Sequence, residues 1–138
     1  MKTISFFLLA IVISMGCSTS STNINLQNGK EVSNILASVW QSEYMENVGS
    51  RNKVSESMVS EMDLKENGTY TLGVKNGTVK RSGKWSYDPT THMLTITIGS
   101  ESASFRILEL TKNKLVSSEY TTFNNVIRDS TVVTYKRM

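Results

Sequence analysis

Met62-Asp63-Leu64-Lys65-Glu66-Asn67-Gly68-Thr69-Tyr70-Thr71-Leu72-Gly73-Val74-Lys75-Asn76-Gly77-Thr78-Val79-Lys80-Arg81 is the stretch on which the fold turns. Apolar residues alternate with polar ones, the period-two pattern of a strand buried on one face, and two Asn-Gly pairs interrupt them. Asn76-Gly77 predicts a two-residue type I′ hairpin, which pairs Val74 with Val79, Leu72 with Arg81 and Tyr70 with Gly83. At the first turn, a two-residue Asn67-Gly68 loop would set Tyr70 against Lys65 and mix the faces. A three-residue loop, Glu66-Asn67-Gly68 with Gly68 left-handed, sets Leu64 against Tyr70 and Met62 against Leu72. Continuity of the apolar face selects the second.

The same reasoning extends in both directions. A loop over 89–92 pairs Tyr87 with Leu94 and Trp85 with Ile96. Gly99-Ser100 suits a type II′ turn and pairs Ile96 with Ala103 and Leu94 with Phe105. A turn at Lys112-Asn113 places Phe105 opposite Tyr120 and Arg106 opposite Glu119, a cross-strand ion pair. About eight strands result, over 38–46, 57–65, 69–75, 78–87, 93–98, 101–110, 114–123 and 129–137, the register of the last left open. Short connections make successive strands antiparallel neighbours. One face gathers Met62, Leu64, Tyr70, Leu72, Val74, Val79, Trp85, Tyr87, Leu94, Ile96, Ile98, Phe105, Ile107, Val116 and Tyr120. Leu108, Leu110 and Leu115 break the alternation, which indicates a bulge or a covered patch. The expected fold is all-β: an antiparallel up-and-down meander whose apolar face is buried by curling into a barrel.

The chain has 138 residues, one proline and one cysteine, with a formal net charge of +3. Its charges are interspersed, no basic stripe or nucleic-acid motif occurs, and a nucleic-acid partner is not expected. The single cysteine, Cys17, excludes an internal disulfide, so packing and the hydrogen-bonded ladder must supply stability. One histidine, His92 in the 89–92 turn, leaves no basis for a metal site, and no cofactor is expected. No nucleophile elbow, catalytic triad spacing or phosphate loop is present, so an enzyme is not expected.

Lys2 precedes an apolar run, Ile4-Ser5-Phe6-Phe7-Leu8-Leu9-Ala10-Ile11-Val12-Ile13-Ser14-Met15, and Gly16 stands before Cys17. This run is shorter than the ~20 residues an apolar spanning helix needs and reads as a cleaved signal. Cys17 at the cut site resembles the lipobox of bacterial lipoproteins, in which the thiol is acylated and becomes the mature N-terminus. Ser14 stands where that motif commonly has leucine, and Ser14 and Gly16 also suit ordinary signal cleavage, which would leave Cys17 as a free thiol. The expected division is a signal over 1–16, acylated Cys17 with a Ser/Thr/Asn-rich tether over 17–29, and one domain over 30–138 that opens with a short helical turn near Glu31 to Ala37. Acylation makes the membrane a partner. The absence of an acidic residue over 18–22 favours a periplasm-facing position on the outer membrane of the cell envelope.

Trp40, Leu64-Lys65-Glu66-Asn67-Gly68-Thr69-Tyr70, Gly83-Lys84-Trp85-Ser86-Tyr87-Asp88, Leu94-Thr95-Ile96 and Phe105-Arg106-Ile107 together resemble the bacterial lipocalin-like lipoproteins. Ser38 stands where that family usually has glycine, two residues before the first tryptophan. The resemblance implies a small closed or nearly closed barrel with a central cavity.

The register puts Arg81 on the apolar face, where a guanidinium needs an anion or a route to water. It either meets the carboxylate or phosphate head of a lipid-like ligand or snorkels to the barrel rim. Tyr70, Trp85, Phe105 and Tyr120 share that face with small Gly83, Ala103 and Ser118. Such a set either lines a ligand cavity or relieves crowding, with Tyr70 lying over Gly83. The expected function is a lipid-anchored barrel that binds a small apolar or amphipathic ligand. The alternative is a structural adaptor with a filled core, which would meet an envelope protein through an outer patch near Leu108, Leu110 and Leu115.

Overall fold

The computed structural model describes residues 22–47, 50–123 and 126–138, and the side chains of all of these except 120–130. One helix, α1 (Gly29–Leu36), precedes nine strands: β1 (Val39–Asn47), β2 (Ser50–Lys53), β3 (Ser60–Leu64), β4 (Thr69–Val74), β5 (Lys80–Asp88), β6 (Met93–Ile98), β7 (Glu101–Leu110), β8 (Lys114–Phe123) and β9 (Val126–Arg137). Each strand from β3 to β9 pairs with its sequence neighbour, and β1 pairs with both β3 and β9. Eight antiparallel strands therefore close on themselves and leave no open edge. Short β2 is the addition. It pairs with the outer half of β1, from Tyr44↔Lys53 to Asn47↔Ser50, whereas the inner half, Val39 to Gln41, pairs with β3. A 3₁₀ turn over Glu56–Met58 leads from β2 into β3, so β3 begins at Ser60 instead of 57.

The expected register holds through four hairpins. Leu64↔Tyr70, Met62↔Leu72, Tyr70↔Gly83 and Leu72↔Arg81 are paired, followed by Tyr87↔Leu94, Trp85↔Ile96, Ile96↔Ala103 and Leu94↔Phe105. Gly68 takes φ 79° and Gly99 φ 59°, the left-handed values their turns require. The second Asn-Gly turn differs from expectation. Asn76 is left-handed (φ 62°) and the Gly77 N–H bonds the Val74 carbonyl at 2.8 Å, so the strands part after Gly73↔Lys80 and a type I′ loop is not formed. Val74 and Val79, expected on the buried face, are exposed at this flared tip, Val79 at 78%.

A second departure lies in β7. The pairs Leu110↔Leu115 and Glu109↔Val116 follow the expected register, but Ile107 then pairs with Ser117, Arg106 with Ser118 and Phe105 with Glu119. Leu108 is the extra residue of a β-bulge, as its break in alternation indicated. The bulge removes the expected pairs Phe105 with Tyr120 and Arg106 with Glu119. It also turns Leu115 inward, where it is fully buried, in place of Val116.

One end of the barrel is sealed. Asn28 caps α1, its side-chain oxygen accepting from the Glu31 N–H at 3.3 Å while its amide donates to the Glu31 carboxylate. Val32 and Leu36, one turn apart, are both fully buried against Trp40, Leu64, Leu110 and Leu115. Trp40 Nε1 donates to the Leu36 carbonyl at 2.9 Å, which couples the helix end to β1. The segment before the helix is part of this seal. Ile24 and Leu26 pack on the core, the Ile24 N–H bonds the Leu110 carbonyl at 2.9 Å, and Tyr87 Oη donates to the Leu26 carbonyl at 2.7 Å. A tether reaching to Gly29 is therefore too long an expectation: the chain is packed from Ile24 onward. Residues 1–21, with the expected signal and Cys17, lie outside the described residues.

Tyr70 lies over Gly83, as one of the two readings of that pair anticipated. A methyl at residue 83 would come within 3.0 Å of the Tyr70 ring and would overlap the Thr97 carbonyl oxygen on β6. Backbone on one side and a fully buried ring on the other leave no route for relief. Gly83→Ala is expected to destabilise the fold by about 2–4 kcal/mol, read as a lower urea midpoint at unchanged m-value.

Candidate functional site

The seal at the α1 end leaves a cavity toward the other end of the barrel. Its volume is about 230 Å³, and its lining comes from β3 (Ser60, Met62), β4 (Leu72, Gly73), β6 (Leu94, Ile96), β7 (Phe105), β8 (Ser117, Glu119) and β9 (Tyr135). The wall is two-sided. From β3 to β7 it is mostly hydrocarbon, whereas β8 and β9 contribute a hydroxyl, a carboxylate and a phenol. The mouth opens beside the flared β4–β5 tip, at the end opposite α1.

Burial pushes the Tyr135 phenol up to about 12, reinforced by the Glu119 charge and opposed by a hydrogen bond with Ser117. Tyr135 therefore stays a neutral hydroxyl at any physiological pH. Burial also raises Tyr70, offset in part by the Arg81 charge. The Tyr70 hydroxyl is buried and has no hydrogen-bond partner among the described residues.

Of the five residues expected to line a cavity, Phe105 does so. Tyr70 and Trp85 pack in or against the sealed half instead. Tyr70 is 1% exposed, and Trp85 is half-buried with its Nε1 donating to the Lys65 carbonyl at 2.9 Å. Arg81 pairs with Leu72 as expected, but its side chain is exposed. It reaches water from within the paired wall, which continues to Gly73↔Lys80, and its charge still acts on the buried Tyr70 hydroxyl. The Tyr120 side chain lies outside the described residues. Ser117, Glu119 and Tyr135 were not anticipated. The bulge at Leu108 turns the first two inward, and Tyr135 belongs to the strand whose register was open. Leu108, Leu110 and Leu115 carried the signal for the bulge but did not fix its position. Among the described residues no group of acidic, histidine or cysteine side chains could hold a metal ion.

A family profile described as a lipocalin-like domain matches residues 36–117. The chain belongs to the lipocalin-like domain family. The match runs from the end of α1 into β8, and so includes every apolar strand of the cavity wall. No curated protein matches the sequence. Among solved structures, lobster apocrustacyanin A1 is similar with a TM-score of 0.52 at 17% identity, over 82% of this chain and 66% of that one. Apocrustacyanin C2 is similar with a TM-score of 0.49 at 16% identity, over 81% of this chain and 69% of that one. The lipocalin-like chain thus spans slightly under two thirds of the first of these structures. At these identities the likeness concerns the fold.

Two outcomes follow from the buried phenols. Tyr70→Phe removes a hydroxyl with no hydrogen-bond partner among the described residues, so thermal unfolding should show stability unchanged or raised by up to about 1 kcal/mol. Tyr135 has its folded value above the unfolded value of 10.0, so its contribution is complete below pH 10 and is lost as pH rises toward 12. Stability measured by denaturant unfolding should fall across that window, and Tyr135→Phe should flatten the fall.

Proposed function

We propose that this protein is a lipid-anchored, non-enzymatic binder or carrier of a small apolar or amphipathic molecule in the cell envelope. The observation that carries the reading is the cavity of about 230 Å³, apolar over four strands and open at one end of a closed barrel. Membership of the lipocalin-like family agrees with it, because barrels of eight strands have room for one small ligand. Hydrocarbon walls with a few convergent polar groups suit binding and orientation. The anchoring half rests on sequence alone: an apolar leader that ends at Cys17, whose acylation would hold the protein on the periplasmic face of the outer membrane. The adaptor alternative loses its support, since Leu110 and Leu115 are core residues and Leu108 alone of that trio is exposed, at 44%.

Mass spectrometry on protein recovered from the membrane fraction tests both halves. Under native conditions a small-molecule mass should accompany the protein and leave on unfolding, and the denatured chain should carry acyl mass at Cys17. Leu72→Trp, which fills the cavity from a half-buried wall position, should abolish the first signal and spare the second. A clean native mass with no uptake from a panel of alcohols, amines and fatty acids would defeat the binding half. An unmodified Cys17, or cleavage elsewhere, would defeat the anchoring half.

A further inference from the structure

We infer that the cavity selects amphiphiles whose head group is cationic or donates hydrogen bonds, with Glu119 as the residue that reads it. This deepens the binding function proposed above and rests on it. Among the described residues that line the cavity, Glu119 carries the one charge, and that charge is negative. The basic residues near the same end do not line the cavity: Lys80 is engaged with Glu61 at 3.5 Å on the outside of the wall, and Lys75 and Arg81 are exposed.

The position of Glu119 suits this role. It stands on β8 directly opposite Phe105, which contributes part of the apolar wall, and is itself solvent-exposed. It therefore stays hydrated without a ligand while facing the place where a head group would emerge from the hydrocarbon. Ser117 on β8 and Tyr135 on β9 offer neutral hydroxyls, which leaves the Glu119 carboxylate as the strongest acceptor on the polar side. An ammonium or donor head placed there meets a charge-assisted acceptor. A fatty-acid carboxylate would bring like charge against like, with no basic residue among the described cavity-lining side chains to offset it.

The volume bounds the body of the ligand. A dry cavity of ~150 Å³ takes one benzene ring, so 230 Å³ takes roughly nine or ten carbon atoms, and a longer chain must project through the mouth. Ten-carbon probes that differ only in head group therefore isolate the effect of Glu119.

The test is calorimetric titration of the purified protein at pH 7 with decylammonium, decanol and decanoate, each kept monomeric. The ammonium is expected to bind about tenfold more tightly than decanoate, with decanol between them. Glu119→Gln should bring the ammonium down to the affinity of decanol and change decanol little, because the amide oxygen still accepts from its hydroxyl, and Glu119→Lys should reverse the order of the two ions. Decanoate binding the native protein as tightly as the ammonium, or an ammonium-to-decanol ratio unmoved by Glu119→Gln, overturns the head-group inference and leaves the binding function standing. Failure of all three probes overturns both. Leu72→Trp separates cavity from surface: binding that survives it is not in the barrel and overturns the inference.

Discussion

Leu108 has no partner across the β7–β8 ladder, and everything beyond it inherits that one-residue offset. Because side chains alternate along a strand, a shift of one exchanges the whole inward set of β8 for the outward one. Without it Val116, Ser118 and Tyr120 would face the interior, and β8 would bring no charge to the cavity. With it Leu115 completes the seal at one end while Ser117 and Glu119 line the space at the other. One insertion therefore sets both the stability of the closed half and the polarity of the open half.

The two halves answer different physical demands. Near α1 the interior is packed without slack: Val32, Leu36, Trp40 and Leu115 are each fully buried, and the Trp40 indole N–H is satisfied by the helix end. Apolar burial at ~25 cal/mol per Å² supplies most of the stabilisation here, in a chain whose one cysteine rules out an internal disulfide. Toward the mouth the same strands carry side chains that do not meet across the barrel. The protein can sustain that emptiness because the sealed half and the closed ladder, β1 to β9 included, hold the wall in place.

Most of the barrel was legible because local chemistry determined it. Glycine at 68 and 99 and the 89–92 loop fixed turn lengths, and turn lengths fixed register through β7. What stayed hidden depends on contacts distant in sequence. β2 is polar and short, with exposed residues throughout, so no alternation marks it. Ile24 and Leu26 look like isolated apolar residues in a polar stretch until Tyr87 and Leu110 are brought beside them. Arg81 obeys the alternation and is still exposed, because alternation says which face a side chain takes and not how far a long side chain reaches toward water. The cavity's charged residue lay beyond the one bulge whose position the pattern of leucines could not fix.

The polypeptide enters the domain at the sealed end, where Ile24 is hydrogen-bonded to Leu110 at the close of β7. Six residues, 18–23, separate Ile24 from Cys17 and extend at most about 22 Å. Acyl chains on Cys17 would thus hold the barrel upside down relative to a cup resting on its rim, base against the bilayer and mouth toward the aqueous side. Cargo would then be exchanged with soluble or facing partners across that compartment and not drawn directly from the lipids underneath.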